Sequence, residues 1–407
     1  MDNSGDDYDV LIVGGGPVGL ALGLSLVRFM AGIRVALIDR RPFAAPRDQR
    51  ASALAAGVRR VLQTLGVWEA LASEAQPVLA MKITDSGTGD IARPMFLSFA
   101  GDVAPGEPFA HMVPNTTITN TLLAALEGKV ALHAPVEVAG FAAGPGKGTL
   151  TLGDGRVLSA PLVVAADGQQ SALRGMAGIG VVAHDYRQAG IVTTITHDLA
   201  HDGTAYEHFR PAGPFASLPL PGRRSSLVWT ESPEDAARYK AMPLDAVAVV
   251  IEAAMGSVLG AVTVEQPLQT FPLKMQIARE FVAPRLALVG DAAHVVHPIA
   301  GQGLNLGLKD IAALAEVVIE AIRLGLDPGA GDVLARYSQW RRLDTSLMAM
   351  VTDGMNRLFS NDIAAVRAAR DIGLGLVDRT PPLKDFLIRS AAGLAGGGPR
   401  LLAGHPI

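Results

Sequence analysis

The order of apolar and polar residues at the start of the chain predicts a βαβ unit. Residues 8–13 form a short apolar run that ends in three glycines, and an apolar helix is expected over about 18–29. Pro17 precedes it at a position that the first turn of a helix tolerates. Gly32 ends this helix, and residues 33–38 predict a second buried strand that stops at Asp39.

Apolar segments that end at glycine-containing turns recur later in the chain. Residues 52–71 follow a helical period, whereas residues 152–157 predict a hairpin turning at Gly153-Asp154-Gly155. Buried strands are expected over 160–166 and 285–289, closed by Asp167-Gly168 and Gly290-Asp291 respectively. A long helix should span about 304–324, and residues 328 to about 392 are helical by period, followed by a Gly/Pro-rich tail.

Between residues 191 and 230 the pattern changes to partial alternation. The short apolar segments, separated by Gly, Pro and Asp, are 191–197, 205–210, 215–220 and 225–229, and 268–274 could add another. Alternation of this kind is typical of an antiparallel sheet with one covered face. The chain therefore predicts an α/β protein with an inserted antiparallel sheet and C-terminal helices.

These elements suggest a discontinuous first domain. It is expected to comprise residues 1–75, 100–180 and 275–340, with a β-rich substrate domain over 76–99 and 181–274. Residues 341–407 would form a C-terminal helical region. A chain of 407 residues with 49% hydrophobic and 18% charged residues has ample apolar material for two or three packed domains.

Charge and cysteine content exclude several classes of function. The formal net charge is −4 and basic residues form no long run, so we expect no nucleic-acid partner. Cysteine is absent, which excludes disulfides, thiolate nucleophiles and cysteine-ligated metal sites. The acidic N-terminus lacks the character of a secretory signal, and the apolar stretch 10–29 is broken by glycines and Arg28. We expect a cytoplasmic protein, either free or peripheral at the inner face of the membrane.

The first glycine-rich turn carries a specific signal. Gly14-x-Gly16-x-x-Gly19 lies between strand and helix, and Asp39 follows Gly19 by 20 residues at the end of the next strand. Glycines at these positions permit the turn, the close approach of a pyrophosphate and tight helix packing. The carboxylate would accept ribose hydroxyls and would disfavour a 2′-phosphate. The motif thus predicts a dinucleotide site and leaves FAD and NAD open.

Two later motifs decide between these ligands by resemblance. Residues 165–174 read AADGQQSALR, and residues 290–307 read GDAAHVVHPIAGQGLNLG. Together with the first turn they resemble the three fingerprints of the single-component flavoprotein aromatic hydroxylases, which have the para-hydroxybenzoate hydroxylase fold. The resemblance implies a Rossmann-like FAD-binding domain of the para-hydroxybenzoate hydroxylase and glutathione reductase type.

In that family each fingerprint contacts a different part of the cofactor. The resemblance assigns Asp39 to the adenosine ribose, Asp291 to the ribityl chain, and the amides near Gly303 to the flavin edge. The implied FAD-binding residues are Gly14, Gly16, Pro17, Gly19, Asp39, Arg40, Arg50, Asn115, Asp167, Gly168, Asp291, Gly303, Leu304 and Asn305. At Asn115-Thr116 the chain departs from the family, in which a basic residue is expected nearby.

A narrower resemblance extends over nearly the whole chain. The segments GPFASLPL (213–220), VWT (228–230) and TDGMNRLFSN (352–361) are similar to those of the ubiquinone-biosynthesis hydroxylases. This resemblance implies that NADH or NADPH reduces FAD and that O2 then gives a C4a-hydroperoxyflavin, which hydroxylates the ring of a polyprenyl phenol. Two alternatives stay open, namely an FAD hydroxylase of another aromatic compound and a non-catalytic FAD-binding member of a ubiquinone biosynthetic complex.

Candidate residues around the reacting centre follow from motif position. His297, Pro298 and Gln302 would face the flavin, although His297 could equally satisfy a loop carbonyl. A metal site at His294-x-x-His297 lacks a third ligand, so we expect no metal. Four aromatic residues of the inserted sheet either line a substrate pocket or form core: Tyr206, His208, Phe215 and Trp229.

The C-terminal tail also admits two interpretations. Residues 391–402 are small, apolar and rich in glycine, and they could meet a membrane or a partner protein. Alternatively, they pack on the FAD-binding domain. The sequence leaves open the ring carbon that is hydroxylated, the electron donor and the oligomeric state.

Overall fold

A computed structural model describes residues 7–44, 50–85, 95–100, 102–298, 301–359 and 398–407. In this part of the chain the strands begin with β1 (Val10–Val13), β2 (Val35–Ile38), β3 (Ala51–Ala55), β4 (Gln76–Val78), β5 (Ala80–Asp85) and β6 (Met95–Ala100). They continue with β7 (Asp102–Ala104), β8 (Glu107–Pro108), β9 (Ala110–Pro114), β10 (Ala131–His133), β11 (Val138–Ala143) and β12 (Gly148–Leu152). Next come β13 (Val157–Ala160), β14 (Leu162–Ala165), β15 (Val181–His197), β16 (Thr204–Arg210), β17 (Gly213–Leu220) and β18 (Arg224–Glu231). The last are β19 (Val262–Val264), β20 (Gln269–Ala278), β21 (Val282–Ala283), β22 (Leu286–Leu288) and β23 (His294–Val295).

The described α-helices alternate with these strands. They are α1 (Pro17–Phe29), α2 (Ala56–Thr64), α3 (Trp68–Ala72), α4 (Asn115–Leu126), α5 (Ala172–Met176), α6 (Pro233–Ala241), α7 (Leu244–Met255), α8 (Gln302–Arg323) and α9 (Gly331–Phe359). Short 3-10 turns cover Ser257–Leu259, Gly290–Ala292 and Arg400–Ala403. None of the helices described is both long and apolar enough to cross a bilayer.

A six-stranded sheet forms the first layer, in the order β10-β2-β1-β14-β22-β21. Its strands are parallel except β21, and the strands β1, β2 and β14 are buried along their whole length, as expected for a sheet covered on both faces. Val13 pairs with both Ile38 and Ala165, so the carboxyl ends of three neighbouring strands coincide. The loops that follow these strands therefore meet at one edge, which is where α/β sheets bind ligands.

A larger sheet forms the second layer, in the order β23-β20-β15-β18-β17-β16-β5-β6, with β19 pairing beside β15. Its pairs are antiparallel except β16 with β5. One face packs against α6 and α7 through a buried cluster that includes Trp229 and Ile251. A small sheet, β3-β9-β4, lies against the other face through Val78 and Met112.

Several predicted elements occur at the expected positions. The hairpin around Gly153-Asp154-Gly155 joins β12 to β13, and the alternating segments of the inserted sheet correspond to β15, β16, β17 and β18. The α/β architecture with an inserted, mostly antiparallel sheet is thus confirmed. The division into domains stays a prediction, although β5 and β6 do join the inserted sheet.

The continuous helix expected over residues 52–71 is wrong in its first part. Ala51–Ala55 is an edge strand that pairs with β9, and helix α2 begins only at Ala56. Alanine is a strong helix former, but intrinsic helix propensity is a weak determinant of structure, and pairing with β9 overrides it here. The backbone of this strand is also fixed from outside, because Asn305 bonds the amide of Ala55 and the carbonyl of Ala53.

The end of the chain packs onto the first layer. Leu401 and Leu402 are buried, and the turn Arg400–Ala403 contacts α2 and α8. For these residues the structure agrees with the packing interpretation of the tail. The rest of the tail, together with the helical prediction for 360–392, lies outside the described residues.

Candidate functional site

The first glycine turn has the geometry that a bound pyrophosphate needs. Gly14 has φ of +120°, and a Cβ there would collide with the carbonyl oxygen of Ala166. A Cβ at Gly19 would collide in the same way with the carbonyl oxygen of Gly14. At Gly16, by contrast, a Cβ would meet no protein atom within 4 Å. The turn therefore leaves open space in front of α1, which begins at Pro17 without a side-chain cap and so presents free amides.

Asp39 ends β2 beside this turn. Its carboxylate accepts hydrogen bonds from the backbone amides of Gly15, at 2.6 Å, and Arg41, at 2.8 Å. These bonds hold the carboxylate next to the glycine turn, where a ribose would be recognised. Arg40 is exposed and makes no hydrogen bond or ion pair with another described residue.

The second motif adjoins the third through an arginine. Gly168 has φ of +85° and open space where a Cβ would stand, and Asp167 accepts a bond from the amide of Leu173 at 3.3 Å. Arg174 donates to the carbonyls of Gln169 and Ala292, each at 2.8 Å. The sequence analysis did not single out Arg174 as a site residue, yet it fixes the two motifs to each other.

Asp291 lies on the turn Gly290–Ala292 and is exposed. The protein walls remove water from its carboxyl and raise its pKa, while the positive charges of His294 and Arg50 oppose this effect. The guanidinium of Arg50 also stacks over the ring of Phe271, 5.1 Å from its centroid. Asp291 and Arg50, both predicted to bind the cofactor, are therefore near each other.

A buried ionic cluster holds this turn in place. Asp310 accepts bonds from the amide of Gly290, at 2.9 Å, and from His294 Nε2 and Arg341 Nε, both at 2.7 Å. Burial alone would raise the pKa of Asp310, but the charges of His294 and Arg341 hold it below its usual value. The sequence analysis missed Asp310 and Arg341, although an aspartate on the apolar face of a long helix was a signal.

The N-terminus of α8 is another part of the candidate site. Gly301 caps it in a left-handed conformation with φ of +61°, and Gly303 has open space where a Cβ would stand. The amides near Gly303 and Leu304 are therefore accessible to an anionic group. The side chain of Asn305 has a structural role, since it bonds to β3 at Ala53 and Ala55.

Arg50 and Asn115 come together at the start of α4. The amide of Asn115 donates to the carbonyl of Arg50 at 3.0 Å, and Ser52 Oγ donates to Asn115 Oδ1 at 2.7 Å. These bonds place both residues at the end of the small sheet, close to β3.

The three residues predicted near the reacting centre flank the start of α8. His297 is fully buried, and its ring meets that of Tyr186 edge to face at 4.9 Å. Burial lowers the pKa of His297 to about 4, against the attraction of Asp353, so the imidazole is neutral at pH 7. Gln302 is the first residue of α8 and is 6% exposed, and Pro298 is the last residue described before it. Their role at the flavin stays a prediction.

An open cavity of about 280 Å³ begins beside His297. It lies between β15 and α9 and is lined by His184, Tyr186, Gln188, Asn356 and Arg357. Tyr186 contacts His297 with one ring edge and lines this cavity, so the cavity approaches the predicted reacting centre. Tyr186 was not singled out from the sequence, which offers no local signal for it.

The four sheet residues for which pocket lining and core were both open lie on one face of the large sheet, and a role in substrate binding stays a prediction. Phe215 and Trp229 are buried with ring centroids 5.6 Å apart, in the core that α6 and α7 cover. Tyr206 lies on the same face beneath Lys82, and His208 Nδ1 bonds Thr84 Oγ1 at 2.7 Å. Alternation along the strands places all four on the face directed away from the small sheet.

No group of three His, Asp or Glu side chains in the described ranges is arranged to hold a metal ion. His294, which the sequence pairs with His297 in an H-x-x-H pattern, instead bonds Asp310. The open turn at Gly16, the carboxylates of Asp39 and Asp291 and the accessible amides of α8 together fit a dinucleotide with an anionic flavin edge.

Comparison with known proteins agrees with this geometry. The family model for the FAD binding domain matches residues 7–350. Ubiquinone hydroxylase UbiL of Rhodospirillum rubrum is 44% identical over 408 residues, covering 98% of this chain and 93% of the relative. The 3-demethoxyubiquinol 3-hydroxylase of Escherichia coli is 35% identical and covers 95% of this chain and 98% of the relative.

A solved structure shares the fold. The crystal structure of p-nitrophenol 4-monooxygenase PnpA from Pseudomonas putida superimposes with a TM-score of 0.78 at 20% identity. The superposition covers 96% of this chain and 99% of that one.

Proposed function

Because this chain belongs to the family of FAD-dependent monooxygenases that includes the ubiquinone hydroxylases, we propose that it hydroxylates the ring of a polyprenyl phenol in ubiquinone biosynthesis. The observation that carries the proposal is the similarity to UbiL along 98% of the chain. O2 and a reduced nicotinamide, NADH or NADPH, are the proposed co-substrates.

The chain's own residues would bind both halves of the cofactor. The turn at Gly16 and the first amides of α1 would hold the pyrophosphate, and Asp39 would hold the ribose. Asp291 would bind the ribityl chain, and the amides near Gly303 would stabilise negative charge on the flavin edge. FAD bound here and reduced by the nicotinamide would supply the activated oxygen.

The remaining task of the protein is to exclude water and to position the ring. His297 is buried and neutral, so it adds no charge beside the flavin edge. Its ring packs against that of Tyr186, which lines the open cavity. Exclusion of water from the flavin prevents the activated oxygen from being lost before it is transferred to the substrate ring.

Mass spectrometry of quinone intermediates tests the proposal. Cells that lack this gene should accumulate a polyprenyl phenol missing a ring oxygen, and fragmentation of that phenol would identify the carbon. Restoring the gene should restore ubiquinone, whereas restoring the Gly16→Ala variant should not, because its side chain would occupy the pyrophosphate space. Unchanged ubiquinone in the deletion strain would overturn the pathway, and small phenols would then be the substrates to examine.

An enzyme with a lipophilic substrate benefits from contact with a membrane surface. Helix α9 offers exposed apolar side chains for such a contact. Leu343, Leu347 and Met350 are 76%, 55% and 65% exposed, and their spacing places them on one side of the helix. We expect the wild-type protein to float with vesicles of phosphatidylethanolamine and phosphatidylglycerol, and the Leu343→Glu/Leu347→Glu variant to stay behind. Equal flotation of the two proteins would exclude this face.

A further inference from the structure

Glu207 is a buried carboxyl on an apolar part of the large sheet. It lies in the middle of β16 and is 6% exposed. Its cross-strand neighbours are Ala216 on β17 and Ile83 on β5. Because side chains alternate along a strand, the neighbours on its own strand and face are Ala205 and Phe209. These four neighbours of Glu207 have side chains that cannot form hydrogen bonds.

The face that carries Glu207 is directed toward the cofactor-binding layer. Ala205, two residues before it, packs with Val78 and Met112 of the small sheet β3-β9-β4. That sheet is bonded in turn to the start of α8 by Asn305, whose amide group contacts β3. The opposite face carries Tyr206 and packs against α6 and α7.

Strand register connects Glu207 with the flavin side of the sheet. Glu207 pairs with Ala216, Ala216 with Val228, and Val228 with Val192 of β15. Gly190 lies two residues before Val192 on the same face of β15, and it pairs with Phe271. The ring of Phe271 stacks under Arg50, which is near Asp291. Adjacent strands are about 4.8 Å apart, so three strand spacings separate Glu207 from β15 by about 14 Å.

The carboxylate oxygens of Glu207 have no hydrogen-bond or ionic partner among the described residues. Burial raises the pKa of this carboxyl to about 7, with no contribution from a charged neighbour. Among the charged residues of β16 and β5 whose side chains the structure describes, Arg210 and Lys82 lie on the opposite face, where they contact Trp229 and Tyr206. His208 is also on that face, bonded to Thr84, and from the small sheet His111 of β9 contacts Trp68.

We propose that Glu207 accepts a hydrogen bond from the phenolic hydroxyl of the substrate and so holds the ring in the space between the two sheets. This inference rests on the proposed function. A buried polar group without a partner is costly, and a hydroxyl donor is the ligand that removes the cost. The hydroxyl oxygen keeps its hydrogen, and the carboxyl proton leaves for solvent when the phenol binds. Donation to a carboxylate also makes the ring more electron-rich, which favours its attack on an electrophilic oxygen.

Selectivity for the hydroxyl group tests the proposal in the FAD-loaded enzyme. The probes are 2-geranylphenol and its methyl ether, which has the same shape but no donor hydrogen. The change in flavin absorbance on titration gives the two dissociation constants. The wild-type enzyme should prefer the phenol by about 10- to 100-fold, as for a hydrogen bond to a charged group. Glu207→Leu should abolish that preference.

Two further variants keep the test decisive. Glu207→Gln preserves size and polarity, so it covers the case in which the leucine variant fails to fold, and it should retain only part of the preference. Glu231→Gln is the matched control, because Glu231 is buried on the opposite face of the same sheet with Arg210 and Trp229. Its selectivity should equal that of the wild type.

Proton release gives a second readout. Calorimetric titration at pH 6.5 in two buffers of different ionisation enthalpy should show a proton released when the phenol binds to wild-type enzyme. Neither the methyl ether nor Glu207→Gln should release it. Equal phenol preference in wild type and Glu207→Leu, or no preference in the wild type, would overturn the inference. Selective binding without hydroxylation of any prenyl phenol would overturn only the proposed function.

Discussion

Gly14 and Gly16 stand two residues apart in one turn, and opposite physical constraints act on them. Gly14→Ala would force a side chain against the carbonyl of Ala166 at φ of +120°, and we expect the flavin-free protein to lose about 3 kcal/mol of stability. Gly16 has an ordinary φ of −77° and open space, so Gly16→Ala should change stability by less than about 0.5 kcal/mol. Its FAD affinity should fall by at least about tenfold, or about 1.4 kcal/mol.

Urea unfolding of the flavin-free proteins and titration with FAD, followed by flavin fluorescence, measure the two effects separately. A Gly16→Ala variant that binds FAD as tightly as the wild type would show that the pyrophosphate does not lie at this turn. The two glycines look alike in the sequence, and only their surroundings distinguish them.

The buried carboxyl of Glu207 should give the flavin-free protein a distinct pH dependence. Its pKa rises from an ordinary value of 4.5 to about 7 through burial, so between these values the folded state holds a proton that the unfolded state has lost. This stabilising contribution is present below pH 4.5 and is lost as the pH rises through 7. Relative to Glu207→Gln, the wild type should lose about 3 kcal/mol between pH 4.5 and pH 8.

Urea unfolding of both proteins at several pH values measures this difference. Parallel stability curves for wild type and Glu207→Gln would mean that water or another group solvates the carboxyl in the folded protein.

At the scale of elements, Asp310 connects helices α8 and α9 to the turn Gly290–Ala292 through its bonds to Arg341, His294 and the amide of Gly290. Asp310→Asn removes the buried one of the two carboxylates that pair with Arg341, the other being Asp344, while Arg341 itself is only 3% exposed. We expect a loss of about 3 to 5 kcal/mol, as for a broken buried ion pair. FAD affinity should fall as well, because the turn carries Asp291.

An exposed ion pair supplies the control for Asp310. Glu280 pairs with Arg342 at 3.0 Å, and both side chains are more than half exposed. Glu280→Gln should therefore cost less than about 1 kcal/mol and leave FAD binding unchanged. Chemical denaturation measures the stability of the two variants, and titration measures their FAD affinity. Equal losses of stability and affinity in both variants would contradict the role given to the buried cluster.

Local sequence predicted most elements but failed for Ala51–Ala55. Strands β1, β2 and β14 were predicted correctly from their apolar runs, and helices α1 and α8 from their helical period. In each of them the apolar residues that form the local pattern are the residues that become buried. The ASALA segment has no such pattern and takes its strand form from pairing with β9 and from the bonds to Asn305. Partners that are distant in the chain leave no trace in local periodicity.

At the scale of the whole molecule, the C-terminal residues pack against the layer formed by the six-stranded sheet and its helices. Leu401 is fully buried against α2 and α8, so Leu401→Ala should cost about 2 to 5 kcal/mol. Leu326, which is 53% exposed, is a matched control whose alanine variant should differ from wild type by less than about 0.5 kcal/mol. Thermal or urea unfolding compares them, and an unaffected Leu401→Ala variant would show that the last ten residues are dispensable for stability.

Residue order alone was enough to predict the fold class, and it predicted the glycine turn proposed to bind the cofactor. Gly14, Gly16, Gly19 and Asp39 were identifiable because a dinucleotide site requires these residue types at fixed spacings within one βαβ unit. The later fingerprints identified the family in the same way, through contiguous residues.

Tertiary structure decided everything that depends on which face of an element meets which neighbour. It placed Trp229 and Phe215 in the core under α6 and α7, and it placed Glu207 on the other face, which is directed toward the small sheet β3-β9-β4. It also brought Asp310 to His294 and Arg341. The alternation of a strand divides its residues into two faces, but only the packing of the second layer determines which face becomes core and which becomes site.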